Sequence, residues 1–190
     1  MKKSLLLLVT LMLSGCATHW PETALLNPQI IPANQQYYAG NRITMEGVDK
    51  REAAHVFYIK KKEKTPVLVN SERPLNLLLA EKLAEGLRSQ GLEVGNSGTT
   101  NLTLAISSAV VTVEEQTFTY ITKSRVSLQV MADFQGNRLS KQFNMSSSKE
   151  EPGEPSIAEL EFLLNQQLGN LLQQIMADEA LRSYLKGQPS

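Results

Sequence analysis

The sequence predicts an α+β fold: a single, mainly antiparallel sheet with helices packed on one face, forming a two-layer sandwich. Two observations carry that expectation. Asn101–Ile106 and most of the stretch from Phe118 to Phe134 alternate apolar and polar residues, the period-2 signature of a sheet with one buried and one wet face. Two leucine-rich segments, over 75–90 and 157–175, instead repeat apolar residues at three- and four-residue spacing, as amphipathic helices do. One-sided strands and one-sided helices bury each other most simply as two layers. The chain has 190 residues, 42% of them hydrophobic, which suits one domain of ordinary size.

The elements follow in order. Arg42–Val48 alternates weakly, and His55–Lys60 (HVFYIK) and Pro66–Asn70 (PVLVN) read as two β runs around the charged turn Lys61–Thr65. Pro74 suits the first turn of a helix. Leu75, Leu79, Leu83 and Leu87 then repeat every four residues, and Gly91 supplies the stop. Leu102, Leu104 and Ile106 share one parity while Val111 and Val113 have the other, so a bulge falls near Ser107 and Ser108. The next run places Phe118, Tyr120, Val126, Leu128, Val130, Ala132 and Phe134 inward. Gln135-Gly136-Asn137 is a hairpin signal. After the acidic breaker Glu150–Pro155, Ser156-Ile157-Ala158-Glu159 is a capping box. It opens a helix with the stripe Ile157, Leu160, Leu164, Leu168, Leu171 and Ile175, and Asp178 caps a last short helix.

Charge and chemistry exclude several classes. Lys plus Arg and Asp plus Glu are 19 each, so the net basic face a nucleic-acid binder needs is missing. One Cys precludes an internal disulfide or a Cys-rich zinc site. The two histidines, His19 and His55, have no partners at metal spacing. No nucleophile motif or Gly-rich phosphate loop is present. The expectation is therefore no enzyme, no catalytic residue, no cofactor and no metal. The pairs Glu114-Glu115 and Glu150-Glu151 read as solvated charges, since neighbours on a strand point to opposite faces.

The first residues are a targeting signal. Lys2 and Lys3 precede the apolar run Leu5–Leu13, which falls short of the ~20 residues a membrane-spanning helix needs and has the flanks of a secretory segment. Leu13-Ser14-Gly15-Cys16 resembles the bacterial lipobox. That resemblance implies removal of residues 1–15 and a lipid-modified Cys16, bearing S-diacylglycerol and an N-palmitoyl chain. By the same resemblance, Ala17, where Asp would signal inner-membrane retention, implies the outer membrane of a Gram-negative cell, with the domain facing the periplasm. Loss of Lys2 and Lys3 leaves 17 basic and 19 acidic side chains. Residues 16–41 contain Pro21, Pro28 and Pro32 and read as a lipid anchor and tether of roughly 28 Å reach, with a short edge strand at Gln29–Ile31. Residues 42–190 form the domain.

The order of elements resembles the YajG family of uncharacterised bacterial lipoproteins. The residues that carry the resemblance are Ser71-Glu72-Arg73-Pro74-Leu75 leading into LLLAEKLAEGLRSQGLEVG, then Asn101-Leu102-Thr103-Leu104, the turn from Gln135 to Lys141, and the C-terminal helix pair. The resemblance implies a membrane held through Cys16 and brings no catalytic residues.

Two surfaces are candidates for a partner. Lys60, Lys61, Lys62 and Lys64 form the densest basic cluster, suited to anionic headgroups or acidic glycan; equally, such a turn blocks edge-to-edge pairing. The wet sheet face, with Thr119 and Arg125 among Ser107, Ser108, Thr112, Thr117, Thr122, Ser124 and Ser127, suits a docked strand or glycan, or simply reflects the β-propensity of Thr. The leading reading is a non-enzymatic binding or adaptor lipoprotein with a periplasmic or outer-membrane protein partner. The alternative is a module for a lipid, glycan or muropeptide, as in envelope lipid transport or peptidoglycan metabolism. It requires a pocket of ~300 Å³ or more between sheet and helices.

Overall fold

A computed structural model describes residues 20–38 and 40–187. The signal segment 1–15 and Cys16 lie outside the described residues. The strands are β1 (Thr23–Ala24), β2 (Arg42–Asp49), β3 (His55–Lys60), β4 (Val67–Ser71), β5 (Glu93–Gly95), β6 (Thr100–Glu115), β7 (Tyr120–Phe134) and β8 (Asn137–Glu151). The helices are α1 (Leu75–Ser89), α2 (Ile157–Ala177) and α3 (Glu179–Leu185).

β6 is the spine of one curled, mixed sheet. β7 pairs with it antiparallel along its whole length, and β8 pairs antiparallel with β7. The other edge of β6 is shared end to end: β2 runs parallel to Thr100–Ile106, and β3 parallel to Val111–Glu114. β4 and then β1 continue beyond β3, while β5 closes β2. The bulge in β6 falls between Ile106 and Ser108, and the parity change around it lets Leu104 and Val111 both face the core.

The mainly antiparallel two-layer sandwich expected from the pattern is not what forms. Four pairings, β1–β4, β2–β5, β2–β6 and β3–β6, are parallel, and the sheet curls instead of lying as a flat layer backed by helices on one face. Alternation reports which face is buried; it does not report direction. Direction is set by the connections: α1 carries the chain back after β4, so that β5 and β6 restart in the sense of β2 and β3.

The Pro-containing segment is laid along the helices. Ala24, Leu26 and Tyr38 are buried. The Leu25 N–H donates to Glu161 Oε1 at 2.7 Å, that of Asn27 to Asn165 Oδ1 at 2.8 Å, and that of Ala33 to Ser89 Oγ at 3.0 Å. Gln173 Nε2 donates to the Ile31 carbonyl. Gly169 on α2 makes the close passage possible, for a Cβ there would lie 2.5 Å from the Gln29 carbonyl oxygen. The segment's strand is Thr23–Ala24, not the expected Gln29–Ile31. Proline-broken chain still buries side chains when neighbouring helices satisfy its amides.

Local signals hold well elsewhere. Ser156 and Glu159 form the capping box, and Asp178 accepts from the Leu181 N–H, each such cap worth ~1 kcal/mol. Gly91 takes φ +89° just past α1. Gln135 (φ 51°) and Gly136 (φ 87°) make the two-residue turn between β7 and β8. Between sheet and helices the core is filled by Leu78, Leu83, Leu104, Val111, Leu128, Leu164 and Leu168, among others.

Candidate functional site

The sheet ends differently on its two sides. β1 and β5 are two and three residues long. β8 has 15 residues and, among the described residues, pairs with β7 alone. Its register with β7 is unbroken from Phe134↔Asn137 to Tyr120↔Glu151. At the turn, the Tyr184 hydroxyl accepts from the Phe134 N–H and donates to the Asn137 carbonyl. Asn137 therefore directs its backbone groups toward β7. Alternation along an antiparallel ladder then turns those of Ser140, Gln142, Asn144, Ser146 and Ser148 outward.

α2 runs beside this open edge. Gln167, buried on α2, donates through Nε2 to Ser124 Oγ on β7 at 2.6 Å and to Ser147 Oγ on β8 at 3.2 Å. This buried polar link fixes the helix against the last two strands, and Gln167 Oε1 is left without a partner. Farther along, Lys141 of β8 bonds Asp178 at the junction of α2 and α3. Burial raises the Asp178 carboxyl, but the Lys141 ammonium and the α3 amides outweigh it and hold the group below its ordinary value.

Between the C-terminal half of β8 and the start of α2 lies a groove of ≈ 640 Å³. Phe162, Leu163 and Ala158 give it an apolar wall, and Thr122, Ser147 and Lys149 line the strand side. Phe162 is 69% exposed. The groove lies at the margin of the sheet, between its last two strands and α2; a pocket between sheet and helices was required only by the alternative reading as a ligand module. Among the described residues no group of three or more His, Cys, Asp or Glu is placed to hold a metal. His55 lies beside Tyr58, their ring centroids 5.9 Å apart.

The interaction residues expected from sequence fall in two places. Lys60 ends β3, Lys61, Lys62 and Lys64 lie in the β3–β4 turn, and Thr119 sits in the β6–β7 turn beside it. The two turns touch: Lys62 N–H donates to Glu115 Oε2 at 3.0 Å, and Lys62 Nζ to Thr117 Oγ1 at 3.2 Å. Lys61 is bound to Glu154 at 2.6 Å, and Thr119 donates to Glu150 at 2.6 Å. Arg125 is separate from them, exposed on the outer face opposite Val110 and Ser146. Thr122 and Ser124, assigned to the wet face, are buried; they share parity with Val126 and belong to the inner face. Phe118, placed in that inward series, is 86% exposed at the turn. The β8–α2 groove was missed, although Phe162 and Leu163 lie off the helix's core stripe and were its available signal.

The fold places the chain in a class of small domains with a curled mixed sheet. It is similar to the crystal structure of a Xanthomonas campestris protein at TM-score 0.61 and 8% identity, covering 82% of this chain and 93% of that one. At that identity the likeness shows a shared fold. A candidate lipoprotein of Caulobacter crescentus matches at TM-score 0.40 and 17% identity, over 68% of this chain and 92% of that one. A candidate homolog of neuraminyllactose-binding hemagglutinin from Helicobacter pylori matches at TM-score 0.39 and 11% identity, over 89% and 97%. No curated protein matches the chain. A family model described as uncharacterized lipoprotein matches residues 28–186, and the chain belongs to that family.

Proposed function

We propose that the protein is a non-enzymatic adaptor of the cell envelope, anchored through acylated Cys16 in the outer membrane with its domain in the periplasm. It captures an extended segment of a partner protein along β8. One observation carries the reading: a 15-residue edge strand with open backbone groups runs beside an apolar groove. Strand addition uses these parts, main-chain bonds for affinity and a side pocket for specificity. Lys141 and Lys149 share the inner-face parity of β8, where charge discourages indiscriminate pairing; Lys141 is held by Asp178, and Lys149, largely exposed, by Glu151. A second copy suits the edge poorly. Antiparallel β8–β8 pairing would put the two N-terminal entry points at opposite ends of strands ~50 Å long, against two anchors in one bilayer.

A photo-crosslinker at Ser148 in the lipidated protein should trap one defined partner in intact cells. Ser146→Pro removes an outward N–H without touching the β7 ladder and should abolish that adduct. An adduct that survives Ser146→Pro refutes strand addition. The groove's volume also favours a second reading, a small amphipathic ligand. In that case Phe162→Ser weakens binding and Ser146→Pro leaves it unchanged.

A further inference from the structure

We infer that the β6–β7 turn, with Phe118 at its tip and the β3–β4 lysines beside it, rests on the phospholipid bilayer that holds the anchor. This stands the domain on one end. The inference rests on lipid attachment at Cys16 and goes beyond it, because attachment alone leaves orientation free.

The direction of the chain carries the inference. β1 is parallel to β4, with Thr23↔Asn70 and Ala24↔Ser71, and the Asn70 N–H donates to the Glu22 carbonyl at 3.2 Å. Traced backward, the chain therefore leaves toward the start of β4. That start lies beside the end of β3, since Ile59 pairs with Val67. The end of β3 lies beside the end of β6, since Lys60 pairs with Glu114. The exit at Trp20, the lysine turn and the β6–β7 turn thus share one end of the sheet. Trp20 itself packs partly against the core, so it belongs to the domain and fixes where the chain emerges. Three residues, Ala17 to His19, separate it from Cys16, so the four steps between them reach at most ~14 Å. The acylated residue cannot be farther than that from this end.

What the end presents suits a headgroup layer. Phe118 is 86% exposed, on a turn closed by the bond from the Gln116 N–H to the Thr119 carbonyl at 2.7 Å. Lys60, Lys62 and Lys64 are exposed beside it. Lys61 and Glu154 neutralise each other, and Glu115 accepts from the Lys62 backbone. An aromatic ring flanked by lysines fits the interface, the ring at headgroup depth and the ammonium groups on phosphate. The opposite end, at the Gln135-Gly136 turn, then points into the periplasm, and β8 rises from the membrane with its edge accessible.

The test uses the full lipidated chain in vesicles of phosphatidylethanolamine and phosphatidylglycerol. With the Cys16 thiol acylated, Gln116→Cys gives a single free thiol for an environment-sensitive dye; Arg138→Cys does the same at the far end. Nitroxide-bearing lipids should quench the dye at 116 several-fold more than at 138. Phe118→Ser in the Gln116→Cys background should reduce that quenching, with the melting curve unchanged. Equal quenching at both positions, quenching at neither, or no effect of Phe118→Ser overturns the contact. Intact mass on the same sample separates this from the anchor: a missing acyl mass overturns the anchor, and the contact with it. Loss of the Ser148 adduct concerns β8 alone.

Discussion

The two margins of the sheet differ in how their backbone is closed. On one side β4 is covered by Thr23–Ala24, and the chain then runs over the helices with its amides bound to Glu161, Asn165 and Ser89. On the other side β8 carries 15 residues of edge with, among the described residues, no strand beyond it. Exposed edges invite aggregation, and proteins usually shorten or cover them. This chain covers one margin with its own N-terminal segment and leaves the other long and polar. The covered margin supports stability, and the open one is the edge we propose for recognition.

That contrast can be broken by substitution. The largest effect belongs to the covered side. Gly169→Ala drives a Cβ into the Gln29 carbonyl and should cost ~1–3 kcal/mol in denaturant unfolding, the range for overpacking. A smaller loss, ~1–2 kcal/mol, is expected for Gln167→Ala, which strips Ser124 and Ser147 of their helix-side partner. The helix should also loosen from β8, read as faster amide exchange in α2.

Acid should act next, through Asp178. Its folded-state carboxyl titrates below the ordinary value, so its contribution is present above an unfolded pKa of ~3.9 and is lost as pH falls through the lower folded one. Asp178→Asn should flatten that part of the stability–pH curve, and calorimetry at stepped pH checks it. On the open side Phe162→Ser should change stability by no more than ~0.5 kcal/mol, as for other exposed positions. A large loss there would mean that Phe162 packs the domain and does not wait for a ligand.

Much of this was legible in the sequence. The capping box, the Gly91 stop, the bulge near Ser107 and the Gln135-Gly136 turn are local chemistry, and each forms. Strand direction was not legible, because a period of two is the same for parallel and antiparallel neighbours. Thr122 and Ser124 were misassigned because residue type was weighed over parity: both follow the Val126 series, and a buried glutamine satisfies Ser124. The groove needed two distant segments, β8 and α2, and only the unclaimed Phe162 hinted at it. The lysine cluster was visible as a cluster. Its placement beside Phe118 and the N-terminal exit depended on the parallel pairing of β1 with β4, which no pattern announces.

Amide hydrogen exchange along β8, resolved by residue, tests the open edge most directly. In the free protein, Ser140, Gln142, Asn144, Ser146 and Ser148 should exchange fast, while Leu139, Lys141, Phe143, Met145 and Ser147 exchange slowly on β7. In the complex with the partner trapped at Ser148, the fast set should become protected. If the fast set stays fast in that complex, or is already protected in the free protein, β8 is not a docking edge.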